Sequence, residues 1–420
     1  MSIENTGYQP SQRQRDNDVI TFAQFDGLRN DVDPERFDIG DMVLATNVDI
    51  DQTGRVSRRG GYTQRLSSVN THSVWAPPQG DVCFFVSGGQ LKQLQPDMTS
   101  TTLGTLLDGS SPVSFERVDD RVYFANGTDM GIIENGAMRT WGMPQAPLPA
   151  AVPTVGSMPA GTYQYNMIWL RGDGQGSGCG LNGVLELPEG SGVDFTVPVA
   201  PSSEIVGAVI YLSPANSDVL MEAGVAGPGQ VFMWRGDPSA LSVPLVSQFR
   251  GPPPAGHMVA YYRGHLFVAV GDTIYVSAPY AYEQFDRRRY IQLDSRINLM
   301  AAISDLDRTE AGRTSGFFIA TERTTGVLSG NNPDEFQYIQ KADYGAVAGT
   351  MQMIEGTRYK DGANGTRLLP IWLSQKGVCI GLPDLAVLNL TRGRYNFVAG
   401  GRGAALFMPD PARFIATHSL

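Results

Sequence analysis

Short apolar segments separated by turn residues recur along this chain. Five of them have the same arrangement, in which an apolar strand is followed by a polar or glycine-containing turn and a second strand. They are VCFFVSGGQLKQL (82–94), RVYFANGTDMGII (121–133), HLFVAVGDTIYVS (265–277), GFFIATERTTGVL (316–328) and IWLSQKGVCIGL (371–382). Each turn contains Gly, Asn, Asp or Thr, which tolerate or initiate chain reversals. The pattern predicts five β-hairpins that pack together, because an isolated hairpin is barely stable in water.

The spacing of these hairpins indicates the architecture. They begin at residues 82, 121, 265, 316 and 371, so the steps between them are 39, 144, 51 and 55 residues. Without about 100 residues of the long step, the period is roughly 40–55 residues, enough for about four strands per unit. An open antiparallel meander, the alternative, would lack an even period. We therefore predict an all-β chain built on a β-propeller of about six blades. Strand-like segments in the first 60 residues and at 395–407 are predicted to share the last blade.

The long step is predicted to hold an inserted domain. Two proline-rich stretches, PQAPLPAAVP (144–153) and RGPPPAG (250–256), are typical of extended connectors. Three strands are predicted between them, at 160–170, 204–213 and 230–236, and the first places Tyr163, Tyr165, Met167 and Trp169 on one face. This content suits a small β-sandwich of immunoglobulin or fibronectin type III kind, although no Cys–Trp–Cys spacing supports a true immunoglobulin domain. The predicted domains are 1–147 (N-terminal arm and first part of the propeller), 148–251 (inserted sandwich) and 252–420 (second part of the propeller and ring closure).

The segment NVDIDQTGRVSRRGGY (47–62) begins like a calcium-binding loop. Asp49 and Asp51 fall on the first and third positions of an EF-hand loop, but the twelfth position, which requires a bidentate Glu, is Gly60. Apolar and polar residues alternate on both sides of the turn instead. The segment therefore predicts a β-hairpin rather than a metal site.

Composition and charge exclude several classes of protein. The 420 residues include 49 Gly and 27 Pro, which favours many tight turns over long helices. The net charge of −10 disfavours a dedicated nucleic-acid binder. Three widely spaced cysteines form no disulfide framework, so we expect assembly in a reducing host cytoplasm. The first fifteen residues are polar, and no apolar run approaches the roughly 18 residues of a membrane helix, so neither a signal peptide nor membrane insertion is expected.

We identify no catalytic, cofactor-binding or metal-binding residues in the sequence. The four histidines are scattered, with no HExxH spacing: His72, His257, His265 and His418. His265 is expected to pack at the start of a strand. No nucleophile elbow or P-loop occurs. The glycine-rich RGDGQGSGCG (171–180) precedes no helix and is expected to be a mobile loop. The triplet Arg-Gly-Asp occurs at 171–173 and 235–237, which we attribute to chance in a chain rich in these residues.

Two basic clusters remain, Arg58-Arg59 and Arg287-Arg288-Arg289. We expect solvated strand edges or salt-bridged subunit contacts there rather than phosphate binding. Aromatic residues of the kind that stack on bases are not interleaved with them.

The stretch FAQFDGLRNDVDPERFDIGDMVLATNVDIDQTGRVSRRGGY (22–62) resembles the start of phage tail proteins of the tail-nozzle, or tail tubular protein B, type. The matching residues are Phe25, Gly27, Leu28, Asp33, Pro34, Asn47, Val48, Asp49, Gly54, Arg58, Arg59, Gly61 and Tyr62. The stretches 252–279, 342–350 and 377–397 are similar to the same family. The resemblance covers nearly the full chain except the predicted insertion, and it rests on the shared order of individually loose motifs.

The resemblance implies a β-propeller and a structural role with no catalytic residues and no cofactor. It implies a virion protein of the phage tail, forming a homo-oligomeric, hexameric ring (the nozzle) that continues and gates the DNA channel below the portal. The implied partners are the portal adaptor or head-to-tail connector, tail fibre or tail-tip proteins, and genomic DNA that passes without sequence-specific binding. The alternative is a receptor-binding or polysaccharide-degrading propeller of the tail tip. An extracytoplasmic bacterial propeller is disfavoured by the missing signal sequence.

Overall fold

The computed structural model describes residues 24–51, 53–78, 80–305, 316–330, 335–359, 365, 367–396, 401–410 and 412–419. Strands make up 53% of the chain and helices 3%, so the predicted all-β class is confirmed. The described helices are three single 3-10 turns, Pro34–Arg36, Pro238–Ala240 and Gly356–Arg358. Within the described ranges, no helix has the length and apolar character needed to cross a membrane.

The chain divides into two compact units, the smaller of which is Met1–Thr63 with Gly393–Asn396. In its described part, the parallel pair β1 (Gly27–Leu28) and β2 (Asp41–Met42) and the antiparallel pair β3 (Val48–Ile50) and β4 (Val56–Arg58) are the regular structure. No apolar side chain between residues 24 and 63, where described, is fully buried. Polar contacts, and not an apolar core, therefore organise this unit.

The larger unit, Gln64–Arg392 with Phe397–Leu420, begins with two four-stranded antiparallel meanders. The strands of the first are β5 (His72–Trp75), β6 (Cys83–Ser87), β7 (Gln90–Leu94) and β8 (Ser100–Thr105). Those of the second are β9 (Ser114–Val118), β10 (Arg121–Ala125), β11 (Met130–Glu134) and β12 (Ala137–Thr140). The hairpins predicted at 82–94 and 121–133 are β6–β7 and β10–β11, and both predictions are confirmed.

A two-sheet module follows, made of seven strands. They are β13 (Ala150–Met158), β14 (Gly161–Arg171), β15 (Gly183–Leu187), β16 (Ser191–Thr196), β17 (Ile205–Leu212), β18 (Met221–Ala226) and β19 (Val231–Trp234). The sheets have the orders β13-β16-β19 and β15-β14-β17-β18, and they share one apolar core. The three predicted strands are β14, β17 and β19. The predicted face of β14 lies in this core, with Tyr163, Met167 and Trp169 buried and Tyr165 partly buried.

Three further meanders follow in the larger unit. The third has the order β20-β24-β23-β22-β21, from β20 (Arg250–Gly251), β21 (Met258–Tyr262), β22 (His265–Val270), β23 (Thr273–Ala278) and β24 (Ala281–Gln292). The fourth comprises β25 (Ile297–Asp305), β26 (Gly316–Thr321), β27 (Thr325–Ser329) and β28 (Gln337–Ala342). The fifth comprises β29 (Gln352–Glu355), β30 (Arg367–Ser374), β31 (Gly377–Gly381) and β32 (Val387–Asn389). Because β25 also pairs with β30, the fourth and fifth meanders form one eight-stranded sheet. The hairpins predicted at 265–277, 316–328 and 371–382 are therefore confirmed.

Each meander packs against the next through an apolar core that the two share. The aromatic contacts at the four successive junctions are Trp75–Phe115 (5.5 Å between ring centroids), Trp141–Phe285 (6.0 Å), Tyr262–Phe317 (5.0 Å) and Phe318–Trp372 (6.4 Å). Fully burying one such aromatic side chain contributes about 1.5–3 kcal/mol. The cores between the meanders, more than any single sheet, therefore hold the unit together.

The strands near the two ends of the chain do not form the single sheet predicted for them. β1 to β4 pair only with one another among the described strands, and β33 (Arg402–Pro409) pairs with β34 (Ala412–Ser419). The eight paired positions of that hairpin satisfy its backbone locally. A shared last sheet is therefore wrong for the described strands.

Candidate functional site

A network of charged side chains joins the two-sheet module to the second and third meanders. Its members, called here the junction network, are Arg121, Glu134, Arg139, Arg171, Asp173 and Glu283. Arg171 ends β14 and Glu283 lies in β24, and their side chains are only 6% and 5% exposed. The Nη1 and Nη2 groups of Arg171 donate to the two carboxylate oxygens of Glu283 at 2.7 and 2.6 Å. This is the bidentate geometry that makes an Arg–carboxylate pair strong.

Other members of the junction network make further hydrogen bonds with Arg171 and Glu283. Asp173 accepts hydrogen bonds from Arg171 Nε at 3.1 Å and Nη2 at 2.8 Å, and Arg139 donates to Glu283 at 3.1 Å. Burial alone would lower the pKa of Arg171, but its hydrogen bonds to Glu283 and Asp173 raise that pKa above the ordinary value. Arg171 thus stays charged although it is buried, and its ion pair with Glu283 links the module to the third meander.

Both Arg-Gly-Asp triplets are used inside the fold. The triplet at 171–173 forms part of the junction network, as described above. In the triplet at 235–237, Arg235 pairs with Asp194 at 2.6 Å and Asp237 accepts the Ser239 backbone N–H at 2.9 Å, capping a 3-10 turn. Each triplet therefore makes local structural contacts.

In the glycine-rich loop 171–180, residues 172–174 are exposed and the others are buried or half-buried. Arg171, Ser177 and Cys179 are buried, and the Gly178 carbonyl accepts the Ala146 N–H at 3.0 Å. The Gln284 side chain donates to the Gly176 carbonyl at 2.7 Å. The backbone of the loop thus bonds to the segments beside it, and the expected mobility of the loop stays a prediction.

A cavity of about 520 Å³ lies between the end of the two-sheet module and the third meander. We call it the basic cavity. The polar side chains that line it include Gln248, Arg250, His265, Asp286, Arg288 and Arg289. Arg288 donates to Asp286 through its backbone N–H and through Nε and Nη2, at 2.9–3.0 Å, and its guanidinium lies 4.7 Å from the Phe249 ring centroid. Arg288 of the Arg287–Arg289 cluster is thus salt-bridged within the chain, and the expected subunit contact stays a prediction. No local pattern in the sequence connects Arg250 or His265 with this cluster.

In the smaller unit, the strands Val48–Ile50 and Val56–Arg58 form the predicted hairpin, with Val48 opposite Arg58 and Ile50 opposite Val56. Asp51 Oδ1 accepts from the Thr53 hydroxyl at 2.6 Å and from the Thr53 and Arg55 backbone N–H groups, and these bonds, led by the hydroxyl, lower its pKa. The carboxylate that suggested a calcium loop therefore holds the turn itself. Its oxygen has hydrogen-bond donors around it, not other anionic ligands.

A second polar centre of the smaller unit is Asp41, whose side chain is 2% exposed. It accepts hydrogen bonds from Arg29 at 2.9 Å and from Arg394 at 3.1 Å, and the Arg29 bond is the main cause of its lowered pKa. Asn30 adds two contacts to the segment containing Arg394: its backbone N–H donates to the Arg394 carbonyl, and its Oδ1 accepts from the Asn396 N–H, both at 2.8 Å. Residues about 360 positions apart in sequence thereby meet, as the separations of 353 and 366 show.

His265, Cys179 and Cys379 are buried in the fold. His265 is buried and bonds the Ser277 carbonyl through Nδ1 at 2.8 Å, and burial lowers its pKa. Burial raises the pKa of Cys179 to about 12 and also raises that of Cys379. In the part of the chain that is described, no three His, Cys, Asp or Glu side chains cluster as a metal site would require. The absence of an enzymatic role stays a prediction.

Comparison with known proteins does not assign the chain to a family. No protein-family model matches the chain, and no curated protein matches it. Two structures of AztD from Citrobacter koseri have TM-scores of 0.27 and 0.26 at 11% identity, each covering 83% of this chain and 89% of that chain. An extracellular domain from B. thetaiotaomicron has a TM-score of 0.21 at 11% identity, covering 85% of this chain and 52% of that one. Similarity at this level carries no argument about fold or function.

Proposed function

We propose that the five meanders are blades of a β-propeller of about six blades and that the two-sheet module is an inserted sandwich of immunoglobulin or fibronectin type III kind. Three observations support this architecture. The five units have four consecutive antiparallel strands each, apart from the added β20 and from the pairing of β25 with β30, which joins the fourth unit to the fifth. Each unit shares an apolar core with the next. The module follows the second meander and is followed by the third.

We further propose that the protein is a structural component of a phage tail, the ring or nozzle that continues and gates the DNA ejection channel below the portal and adaptor. The observation that carries this proposal is the Asp41 centre. Arg29 and Asp41 belong to the first stretch that resembles tail-nozzle proteins, and Arg394 and Asn396 belong to the last. Their hydrogen bonds bring the two stretches into one compact unit. Loose motifs that build one structural unit support the resemblance better than scattered matches would.

Charge is consistent with a conduit. Duplex DNA carries one negative charge per roughly 1.7 Å, and each Lys or Arg that meets a phosphate adds binding that slows transit. Six copies of a chain with net charge −10 amount to about −60. A wall of that sign repels DNA within a Debye length of about 8 Å in physiological salt. We therefore expect an acidic or neutral lumen, with Arg58-Arg59 and Arg287–Arg289 at subunit contacts or on the outer wall.

Negative-stain microscopy of the purified protein, with and without the adaptor protein of the same phage, tests the proposal. We expect rings with sixfold symmetry and an axial channel. A protein that remains monomeric under both conditions, or a ring whose lumen is lined by the two arginine clusters, would overturn it. Binding or cleavage of host surface polysaccharide by a non-ring form would favour the tail-tip alternative instead.

A further inference from the structure

The basic cavity concentrates positive charge on a chain that is acidic overall. Three of its lining side chains are arginines, Arg250, Arg288 and Arg289, and one is a carboxylate, Asp286. Burial lowers the pKa of His265, which keeps that side chain neutral near pH 7. The charged lining residues therefore sum to a formal +2, whereas the whole chain carries −10. A local excess of this sign, in a recess rather than on a flat surface, is suited to an anion.

The arginines of the cavity are held in place by contacts of their own. Arg288 is fixed by its three hydrogen bonds to Asp286 and by the Phe249 ring. Arg250 lies in β20, directly opposite Asp286 of β24, and its Nη1 donates to the Gln284 side chain at 3.1 Å. Donors fixed in advance by neighbouring groups lose less entropy when a ligand binds. The cavity is in this sense preorganised.

Arg250 lies in an environment that is poorer in negative charge than that of Arg288. It is half-buried, and burial first and the positive charge of Arg289 second lower its pKa, while Asp286 opposes the shift. Asp286 bonds directly to Arg288. An anion beside Arg250 and Arg289 would reduce the repulsion between their positive charges.

We propose that the basic cavity binds a phosphate dianion, either free or as the ester of a small molecule, between Arg250 and Arg289. The formal +2 of the lining matches a dianion better than a single carboxylate, and planar guanidinium groups match the oxygens of phosphate with paired hydrogen bonds. The volume of about 520 Å³ lies within the range of roughly 300–1,000 Å³ that is usual for small-ligand pockets, so an attached sugar could be accommodated. This inference does not depend on the proposed tail function.

Isothermal titration calorimetry at constant ionic strength tests the proposal with inorganic phosphate and ribose 5-phosphate as separate probes. Sodium chloride and ribose serve as blanks. Binding of inorganic phosphate alone identifies free phosphate as the ligand, and tighter binding of ribose 5-phosphate identifies an ester. Because a hydrogen bond to a charged group is worth about 1.5–3 kcal/mol, Arg250→Gln and Arg289→Gln should each weaken binding about tenfold or more. Arg287→Gln is the matched control, since Arg287 is adjacent in β24 but does not line the cavity, and it should change affinity less than twofold.

Several results would overturn the phosphate site. One is the absence of any heat above the chloride and ribose blanks, and another is an equal loss in Arg287→Gln. Duplex DNA that binds through Arg250 while ribose 5-phosphate does not would assign the surface to nucleic acid instead. Loss of ring assembly in Arg250→Gln, with no phosphate binding by the unaltered protein, would assign the arginines to a subunit contact. If Arg250→Gln fails to fold, the exposed Arg289→Gln variant still decides the matter, because thermal unfolding can verify its fold separately.

Discussion

Glu283 is the residue at which the junction network can be tested most directly. The substitution Glu283→Gln keeps the size of the side chain but removes its charge. It leaves Arg171 and Arg139, whose side chains are 6% and 16% exposed, facing an amide that has one acceptor oxygen in place of two. The carboxylate now accepts three hydrogen bonds from these arginines, at 2.7, 2.6 and 3.1 Å. At least one buried charged donor therefore loses its acceptor.

The expected loss of unfolding free energy follows from that burial. Removing one partner of a buried ion pair typically costs 3–5 kcal/mol, because the other charge stays buried without compensation. Arg171 keeps Asp173 as a partner and Arg139 keeps Glu134, so we expect the lower end, about 3 kcal/mol. The control is Asp81→Asn, which breaks the Arg117–Asp81 pair, in which Nη1 of Arg117 contacts both carboxylate oxygens at 2.6 and 2.7 Å. Asp81 is 48% exposed, and exposed pairs contribute about 0.2–1 kcal/mol.

Urea denaturation followed by tryptophan fluorescence measures both losses. Trp141 lies beside the network, donating to the Tyr282 carbonyl at 2.9 Å, and Trp169 lies in the core of the two-sheet module. The two tryptophans thus report on both sides of the junction. A loss for Glu283→Gln below about 1 kcal/mol, equal to that for Asp81→Asn, would show that the network is not the buried structure described here.

Three further predictions concern other parts of the chain. Calorimetry should detect no micromolar calcium binding that Asp49→Ala or Asp51→Ala abolishes, because Asp51 is engaged in its own turn. Under native conditions, thiol reagents followed by mass spectrometry should modify Cys83 before Cys179 and Cys379. Both of the latter are fully buried, and rapid labelling of Cys179 would contradict the assigned burial. Replacing 148–251 with a short Gly/Ser linker should leave a soluble β-rich protein by circular dichroism, since loop-closure entropy grows only logarithmically with length. An aggregated product would show that the meanders need the module.

The elements that could be predicted from the sequence are those specified by neighbouring residues. All five hairpins and the hairpin at 47–62 combine a strand-period pattern with turn residues a few positions away. The face of β14 followed from the same alternation. The predicted sharing of one sheet by the two chain ends failed because it required a pairing over the whole chain. No local pattern specifies such a pairing, and the hairpin β33–β34 satisfies the same backbone groups locally.

The junction network could not be predicted from the sequence for the same reason, because its members are far apart along the chain. The sequence nevertheless indicates that two of them are buried charges. Arg171 is two positions after the buried Trp169, and Glu283 is two positions before the buried Phe285, so strand alternation places both charges on buried faces. A charge predicted on a buried face requires a partner. The alternation cannot show which partner, since Arg171 and Glu283 are 112 positions apart. The basic cavity combines residues from the module connector and the third meander in the same way.

The two-sheet module is held by more than its two connectors. Pulling it away from the third meander would expose Arg171 and Glu283 and would break the bond from Gln284 to the Gly176 carbonyl. Water can solvate the separated charges, so the net cost of opening is smaller than the sum of the broken contacts. The cost of a partial opening is larger, because a displaced but still buried arginine has neither water nor carboxylate. A polar junction of this kind therefore favours either the packed or the fully separated arrangement of the module and the third meander over intermediate ones. An apolar contact of the same area would not disfavour the intermediate arrangements in this way.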